Sequence, residues 1–183
     1  MSHTINKYTY REYQYFPDDG RRHEIIDGDH YMNPAPSTKH QTVSRHLQFQ
    51  LYTQLEITKR GRVFDAPTDV ELSEHDIVQP DLLIVMNENR IITPKRIRGV
   101  PDVCIEILSE SSPNQDRVLK LEMYRRCGVR EYWIVDPEEE TIEQHVLDSK
   151  GQYLVTRHAD AGVRLPLATI PNVTVSLDAI WED

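Results

Sequence analysis

Continuous apolar runs constrain the fold of this chain more than any other feature of its sequence. The clearest are Leu82–Met86, Asp102–Leu108 and Glu131–Asp136. Short runs rich in Val, Ile and Leu are typical of central strands covered on both faces, whereas half-exposed strands alternate with polar residues. The chain must therefore place other elements on both sides of a sheet, which predicts an α/β or α+β protein.

A long helix is predicted before these strands, from Ser37 to Gly61. Its apolar residues recur every four positions, so one stripe of the helix can pack against the sheet. Phe49 and Tyr52 are predicted to widen this stripe. The stripe itself consists of Val43, Leu47, Leu51 and Leu55.

Shorter signals predict the remaining elements. Thr9 and Glu12 have the spacing of a capping box, which predicts a short N-terminal helix. Asp27-Gly28 lies inside the run His23–Met32 and predicts a hairpin turn. The other expectations are one strand over Arg62–Leu72, a polar turn over Ser73–Gln79, and C-terminal strands at Thr141–Leu147, Gly151–His158 and Val173–Leu177.

Length and composition limit the class of protein. A chain of 183 residues suits one domain over residues 1–183. Its net charge of −9 argues against a protein that coats nucleic acid nonspecifically, because such binding neutralises phosphates. Cys104 and Cys127 lack metal-ligand spacing, which indicates core residues of a cytoplasmic protein. We find no signal-peptide pattern and no stretch suited to span a membrane.

Two carboxylates lie beside the predicted central strands. Asp81 precedes one strand and Glu106 lies late in the next, so the two meet if those strands are neighbours. Mg²⁺ prefers oxygen ligands and is typically held by one or two carboxylates and several waters. The alternative is structural: Asp81 caps a strand after Pro80, and Glu106 is half exposed.

A lysine follows on a second predicted helix, from about Gln115 to Cys127. At about 100° per residue, Asp116, Lys120 and Tyr124 lie on one side of this helix, toward its apolar face. Charged side chains are seldom buried unless they are paired or functional. Lys120 therefore either serves the site of the two carboxylates or pairs with Asp116, which is itself a further candidate.

Six motifs surround and include these residues. They are His23–Gly28, His40, Gln79–Leu82, Pro101–Ser109, Asp116-x-x-x-Lys120-x-x-x-Tyr124 and Gly128–Pro137. Together they resemble the PD-(D/E)XK nuclease superfamily and, within it, a bacterial family described as putative restriction endonucleases. The similarity covers about Tyr8 to Leu177, and the last two motifs in tandem are the most specific.

The resemblance implies a restriction-endonuclease-like α/β core, with a mixed central sheet flanked by helices and a small C-terminal β extension. It also implies Asp81 and Glu106 as ligands of Mg²⁺, for which Mn²⁺ can substitute. The superfamily places its lysine two residues after the glutamate, where this chain has Leu108. Either Lys120 reaches the site from the helix, or the site lacks the lysine that would orient water or stabilise charge on the phosphate.

Further candidates follow from the same resemblance. Tyr124 resembles a helix motif of some of these nucleases and is otherwise a packed aromatic residue. Glu24, before the hairpin turn, corresponds to an early glutamate that many such folds bring to the metal. Asp69 lies on the strand before Asp81, and His40 begins the long helix, where a cap or surface role is the alternative.

These residues predict a Mg²⁺-dependent endonuclease that cleaves nucleic acid, with DNA as the expected substrate. The basic loop Arg90–Arg98 and the pair Arg125-Arg126 are candidate phosphate contacts. Cutting both strands of a duplex is easiest for a symmetric dimer, so we expect a homodimer. The alternative is a non-catalytic nucleic-acid or protein interaction module with the nuclease fold, which Leu108 and the acidic net charge favour.

Overall fold

The computed structural model describes residues 7–109, 115–159 and 162–182, except for the side chains of residues 115 and 116. It confirms the predicted α/β class. Among the helices it describes, none is long and apolar enough to cross a membrane. The helices are α1 (Tyr10–Tyr13), α2 (Thr38–Leu55), a π-helix (Gln115–Lys120) that continues into α3 (Leu121–Cys127), and α4 (Asp178–Trp181).

The strands form a larger sheet, a smaller sheet and a two-stranded C-terminal extension. In chain order they are β1 (Arg22–Ile26), β2 (Asp29–Asn33), β3 (Gly61–Asp65), β4 (Val70–Ser73), β5 (Asp76–Val78), β6 (Leu82–Met86), β7 (Ile97–Arg98), β8 (Val103–Ile107), β9 (Glu131–Asp136), β10 (Thr141–Leu147), β11 (Tyr153–His158), β12 (Arg164–Pro166) and β13 (Thr174–Ser176). The larger sheet has the order β11-β10-β9-β8-β6-β3, the smaller has β2-β1-β5-β4-β7, and β12 pairs with β13.

The larger sheet is covered on both faces, as its apolar runs predict. Alternate residues of a strand point to opposite faces. In β8, Val103, Ile105 and Ile107 pack against α2 and the C-terminal segment. Cys104 faces the other way, into a core shared with α3 and the smaller sheet. The sheet is mixed, because β8 runs parallel to β9 and antiparallel to β6.

Helix α2 differs from the prediction in two respects. It ends at Leu55, and Gly61 already belongs to β3. Phe49 and Tyr52 are 67% and 45% exposed, so the prediction that they widen the buried stripe is wrong. Phe49 lies two residues from the buried Leu47, or about 200° around the helix, which turns it toward solvent.

The segment between β3 and β6 is also more divided than predicted. The single strand expected over Arg62–Leu72 is two strands, β3 and β4, which lie in different sheets. The turn expected over Ser73–Gln79 contains β5, which is fully buried. Asp76 tolerates burial there because its carboxylate accepts hydrogen bonds from Arg126 at 2.8 and 2.9 Å.

Local signals are confirmed where the interaction lies within a few residues. Thr9 and Glu12 form the predicted capping box. Asp27 and Gly28 both have positive φ, 49° and 79°, as a two-residue turn between β1 and β2 requires. Gly128 ends α3 in the left-handed conformation. Strands β10, β11 and β13 lie within the three C-terminal stretches predicted as strands.

Candidate functional site

Asp81 lies where the chain passes from the smaller sheet into β6. It is 5% exposed. Its Oδ1 accepts a hydrogen bond from Arg22 Nη1 at 2.7 Å. Its Oδ2 lies 3.0 Å from His40 Nε2 and accepts from the Ile107 amide at 2.9 Å. The amide bond from Ile107 holds the carboxylate beside the neighbouring strand β8.

Glu106 lies on that neighbouring strand. Because β6 and β8 are antiparallel neighbours, Glu106 is level with Asp81. It is 2% exposed, not half exposed as the structural alternative requires. Its Oε1 accepts hydrogen bonds from Lys120 Nζ at 2.9 Å and Tyr124 Oη at 2.7 Å. The fold therefore brings the two carboxylates, the lysine and the tyrosine together.

Lys120 reaches the carboxylates from the π-helix. It is 2% exposed, and its Nζ lies 2.9 Å from Glu106 Oε1 and 3.1 Å from Glu24 Oε2. Leu108, at the strand position where the superfamily has its lysine, packs in the core. A π-helix makes i→i+5 bonds, so a phase of 100° per residue does not hold here. The Asp116 side chain lies outside the described residues, and its role stays a prediction.

Glu24 brings the smaller sheet into the site. It is fully buried in β1. Its Oε1 accepts from the Gln79 amide at 2.8 Å, and its Oε2 accepts from Asn33 Nδ2 at 2.7 Å. Since the same Oε2 pairs with Lys120, the ammonium group bridges carboxylates from the two sheets.

His40 lies in the first turn of α2 and faces Asp81. It is 4% exposed, so a surface role does not fit. Its backbone amide donates to Ser37 Oγ, which caps the helix. Its Nδ1 is buried, and the part of the chain that the structure describes offers it no hydrogen-bond partner.

Asp69 is separated from the other candidates. Its Oδ1 accepts hydrogen bonds from Tyr13 Oη at 2.7 Å and Gln79 Nε2 at 2.9 Å. Burial, with the Asp69 charge, raises the pKa of Tyr13 and keeps its hydroxyl a donor. The structure does not bring Asp69 to the cavity that Asp81 and Glu106 line.

Arg22 and Asn33 also line the site, although they were not among the predicted residues. These residues are opposite each other in the β1–β2 hairpin. Arg22 lies two residues before Glu24 and therefore on the same face of β1. This period of two was the available signal, but the partner of Arg22, Asp81, is 59 residues away.

A small cavity lies between these side chains. It has a volume of about 20 Å³. A cavity of roughly 10–15 Å³ on this measure can hold one water molecule. The cavity therefore has room for one water-sized species among groups of both charges. Its lining includes Arg22, Asn33, His40, Asp81, Glu106 and Lys120.

Electrostatics keep Asp81 ionised. Burial alone raises its pKa, but the hydrogen bond from His40, the Arg22 charge and the Ile107 amide outweigh burial and hold the pKa well below its usual range. Burial, together with the Glu106 charge, raises the pKa of Tyr124 well above its usual value. The tyrosine thus remains a neutral donor to the carboxylate.

The donor set fits a single hard cation. Asp81 and Glu106 present carboxylate oxygens, the hard ligands that Mg²⁺ prefers, to one small cavity with room for a single ion. No ready group of three or more His, Cys, Asp or Glu side chains is found in the residues that the structure describes. Asp81 and Glu106 are thus the two carboxylates of this cavity that could hold such an ion.

Three of the predicted basic contacts pair with acidic side chains of this chain. Arg126 pairs with Asp76, and Arg125 pairs with Glu122 at 2.7 Å. Both arginines thus have acidic partners within the chain, and their contact with phosphates stays a prediction. In the basic loop, Arg96 pairs with a glutamate at 2.6 Å and lies over a tyrosine ring.

The fold described above is restriction-endonuclease-like. Residues 9–178 match the Uma2 family, described as "Putative restriction endonuclease". The chain belongs to this family.

A solved structure shares the fold. It is that of a putative nuclease from Anabaena variabilis, with a TM-score of 0.79 and 19% sequence identity over 94% of this chain and 97% of that chain. Among curated proteins, no sequence matches this chain. At so low an identity the likeness concerns the fold alone, and the chemistry depends on the side chains described above.

Proposed function

We propose that this chain is a Mg²⁺-dependent endonuclease that hydrolyses phosphodiester bonds in DNA, with Mn²⁺ able to replace Mg²⁺. One observation carries the proposal. Asp81, Glu106 and Lys120 come from separate elements and converge on one small cavity. Moving charged groups out of water is costly, and here three of them are concentrated beside a space for one ion.

In the proposed reaction, Asp81 and Glu106 hold the cation. A divalent cation at such a site supplies a Lewis acid for phosphoryl transfer. Lys120, fixed against Glu106 at 2.9 Å, stabilises negative charge that develops on the phosphate. Tyr124 and His40 orient the two carboxylates through the hydrogen bonds described above.

Substitution of the carboxylates tests this proposal. Asp81→Asn and Glu106→Gln should each lower Mg²⁺-dependent cleavage at least about a hundredfold, because each removes a ligand charge. Asp102→Asn is the matched control. Asp102 is 5% exposed and directly precedes β8, the strand that carries Glu106. Its carboxylate accepts a hydrogen bond from the Met86 amide at 2.8 Å and does not line the small cavity. The proposal fails if the two site variants cleave as fast as the parent protein.

A non-catalytic interaction module with the same fold is the second candidate. One observation favours it: Arg22 already occupies Asp81 Oδ1 at 2.7 Å. Such a module needs no divalent cation. Calorimetric titration with Mn²⁺ separates the two functions, because only the nuclease requires binding that disappears in Asp81→Asn.

We further propose that the enzyme acts as a cytoplasmic homodimer. Two copies related by symmetry place two sites on one duplex and allow both strands to be cut. Sedimentation of the protein with and without duplex DNA measures the assembly. A monomer that only nicks the duplex would contradict this part of the proposal.

A further inference from the structure

Arg22 occupies the place of a cation at Asp81. Its Nη1 lies 2.7 Å from Oδ1, and its side chain is 20% exposed, against 5% for Asp81. It lines the small cavity together with Glu106 and Lys120. The small cavity therefore already contains a positive charge that is bound to one of the two proposed metal ligands.

Asp81 keeps other partners if Arg22 leaves. His40 and the Ile107 amide both bond to Oδ2, not Oδ1. The Arg22 guanidinium is always protonated and only donates hydrogen bonds. A divalent cation that binds Oδ1 therefore competes with it for that oxygen. Arg22 and the divalent cation therefore compete only for Oδ1. Arg22 is more exposed than Asp81, so it is the side chain that can move.

Arg22 also lines a larger cavity. It measures about 610 Å³ and is formed by the loop before β1, the segment between β3 and β4, and the loop before β7. The chain as a whole carries a net charge of −9, yet cationic side chains outnumber acidic ones here. A basic cavity of this kind suits phosphate groups. Its charged residues are Arg21, Arg22, Lys95, Arg96, Asp18 and Asp69.

We infer that Arg22 exchanges partners during binding: a divalent cation displaces it from Asp81 Oδ1, and the freed guanidinium binds a phosphate of the nucleic-acid strand in the 610 Å³ cavity. This inference rests on the proposed function, because it requires the metal at Asp81. A guanidinium fork matches phosphate oxygens as well as it matches a carboxylate. The exchange replaces one charged hydrogen bond by another of the same kind.

The exchange couples the two binding events. Metal binding releases a phosphate-binding group, and phosphate binding keeps that group away from the metal ligand. By linkage, each ligand must then strengthen the other by the same factor. Arg22 is the residue through which this part of the coupling acts.

The first test is Mn²⁺ titration of the free protein at neutral pH. Arg22→Gln should bind Mn²⁺ about tenfold more tightly than the parent, equivalent to ~1.4 kcal/mol, because the competing charged hydrogen bond is gone. If Arg22 only supports the structure of the site, Arg22→Gln should instead bind Mn²⁺ more weakly, because a damaged site binds metal less well. Arg22→Lys, which keeps the charge, should lie between the two. Arg21→Gln is the matched control: its side chain lines the larger cavity without contacting Asp81, so Mn²⁺ affinity should not change.

The second test is binding of a fluorescein-labelled single-stranded DNA, with and without Ca²⁺, with the strand checked for cleavage on a gel. Ca²⁺ should strengthen binding by the parent and by Arg21→Gln, and by severalfold less in Arg22→Gln. Equal or weaker Mn²⁺ binding by Arg22→Gln, or an unchanged Ca²⁺ effect, overturns the exchange while the proposed function stands. Absence of Mn²⁺ binding by the parent overturns both.

Discussion

Removal of the Lys120 charge tests whether the buried amine holds the site together. In Lys120→Met, Glu106 and Glu24 remain buried, with 2% and 0% exposure, and lose the ammonium that lies 2.9 and 3.1 Å from them. Removing one partner of a buried charge pair costs about 3–5 kcal/mol. For a chain of this size that corresponds to a fall in Tm of roughly 6–20 °C, at about 2–4 °C per kcal/mol.

Urea denaturation at neutral pH measures the free energy of unfolding. The double variant Lys120→Met/Glu24→Gln is the control, because it removes one of the two facing carboxylate charges. We expect it to recover roughly half of the loss, by the non-additivity of contacting residues. A loss below about 1 kcal/mol in Lys120→Met would place the pair in the range of exposed salt bridges and refute the reasoning. A double variant no more stable than Lys120→Met would refute it as well.

Three further predictions follow from single contacts. Tyr124→Phe removes the 2.7 Å hydrogen bond to Glu106 and should lower the free energy of unfolding by about 1.5–3 kcal/mol in urea denaturation. Burial raises the pKa of Asp76, but hydrogen bonds, chiefly from Arg126, outweigh it and lower the pKa below the ordinary 3.8. The stability from Asp76 is therefore present above pH 3.8 and lost as pH falls below it, so Asp76→Asn should flatten the acid limb of the stability curve. Phe49→Ser, at a position 67% exposed, should change the free energy of unfolding by less than about 0.5 kcal/mol, and a large loss would contradict the assigned face of α2.

The central strands could be predicted because their signal is local. Strands β6, β8 and β9 each lie within one apolar run, and that pattern arises from burial on both faces. The pairing of Asp81 with Glu106 followed from those strands being neighbours. The direction of the Lys120 side chain was harder to predict. It lies on a π-helix, and the 100° per residue of an α-helix does not give the direction of side chains there.

The features that the sequence did not predict depend on distant partners. Arg22 has no local reason to face Asp81, which is 59 residues away. Strand β5 contains Asp76, whose charge is balanced by Arg126, 50 residues later. A charged residue in a short segment is predicted to be exposed to solvent unless its counter-charge is known.

This chain supplies its lysine from a helix and not from a strand. That affects which substitutions related sequences can accept. Position 108 carries no charged group, and its leucine contributes about 1.5–3 kcal/mol of apolar burial instead. Position 120 takes over the constraint, since its amine now lies against Glu106 and Glu24. Two lysines at this small cavity would repel each other, and none would leave the acids without a counter-charge. Related sequences should therefore exchange lysine between the two positions as a linked pair, carrying it at one or the other.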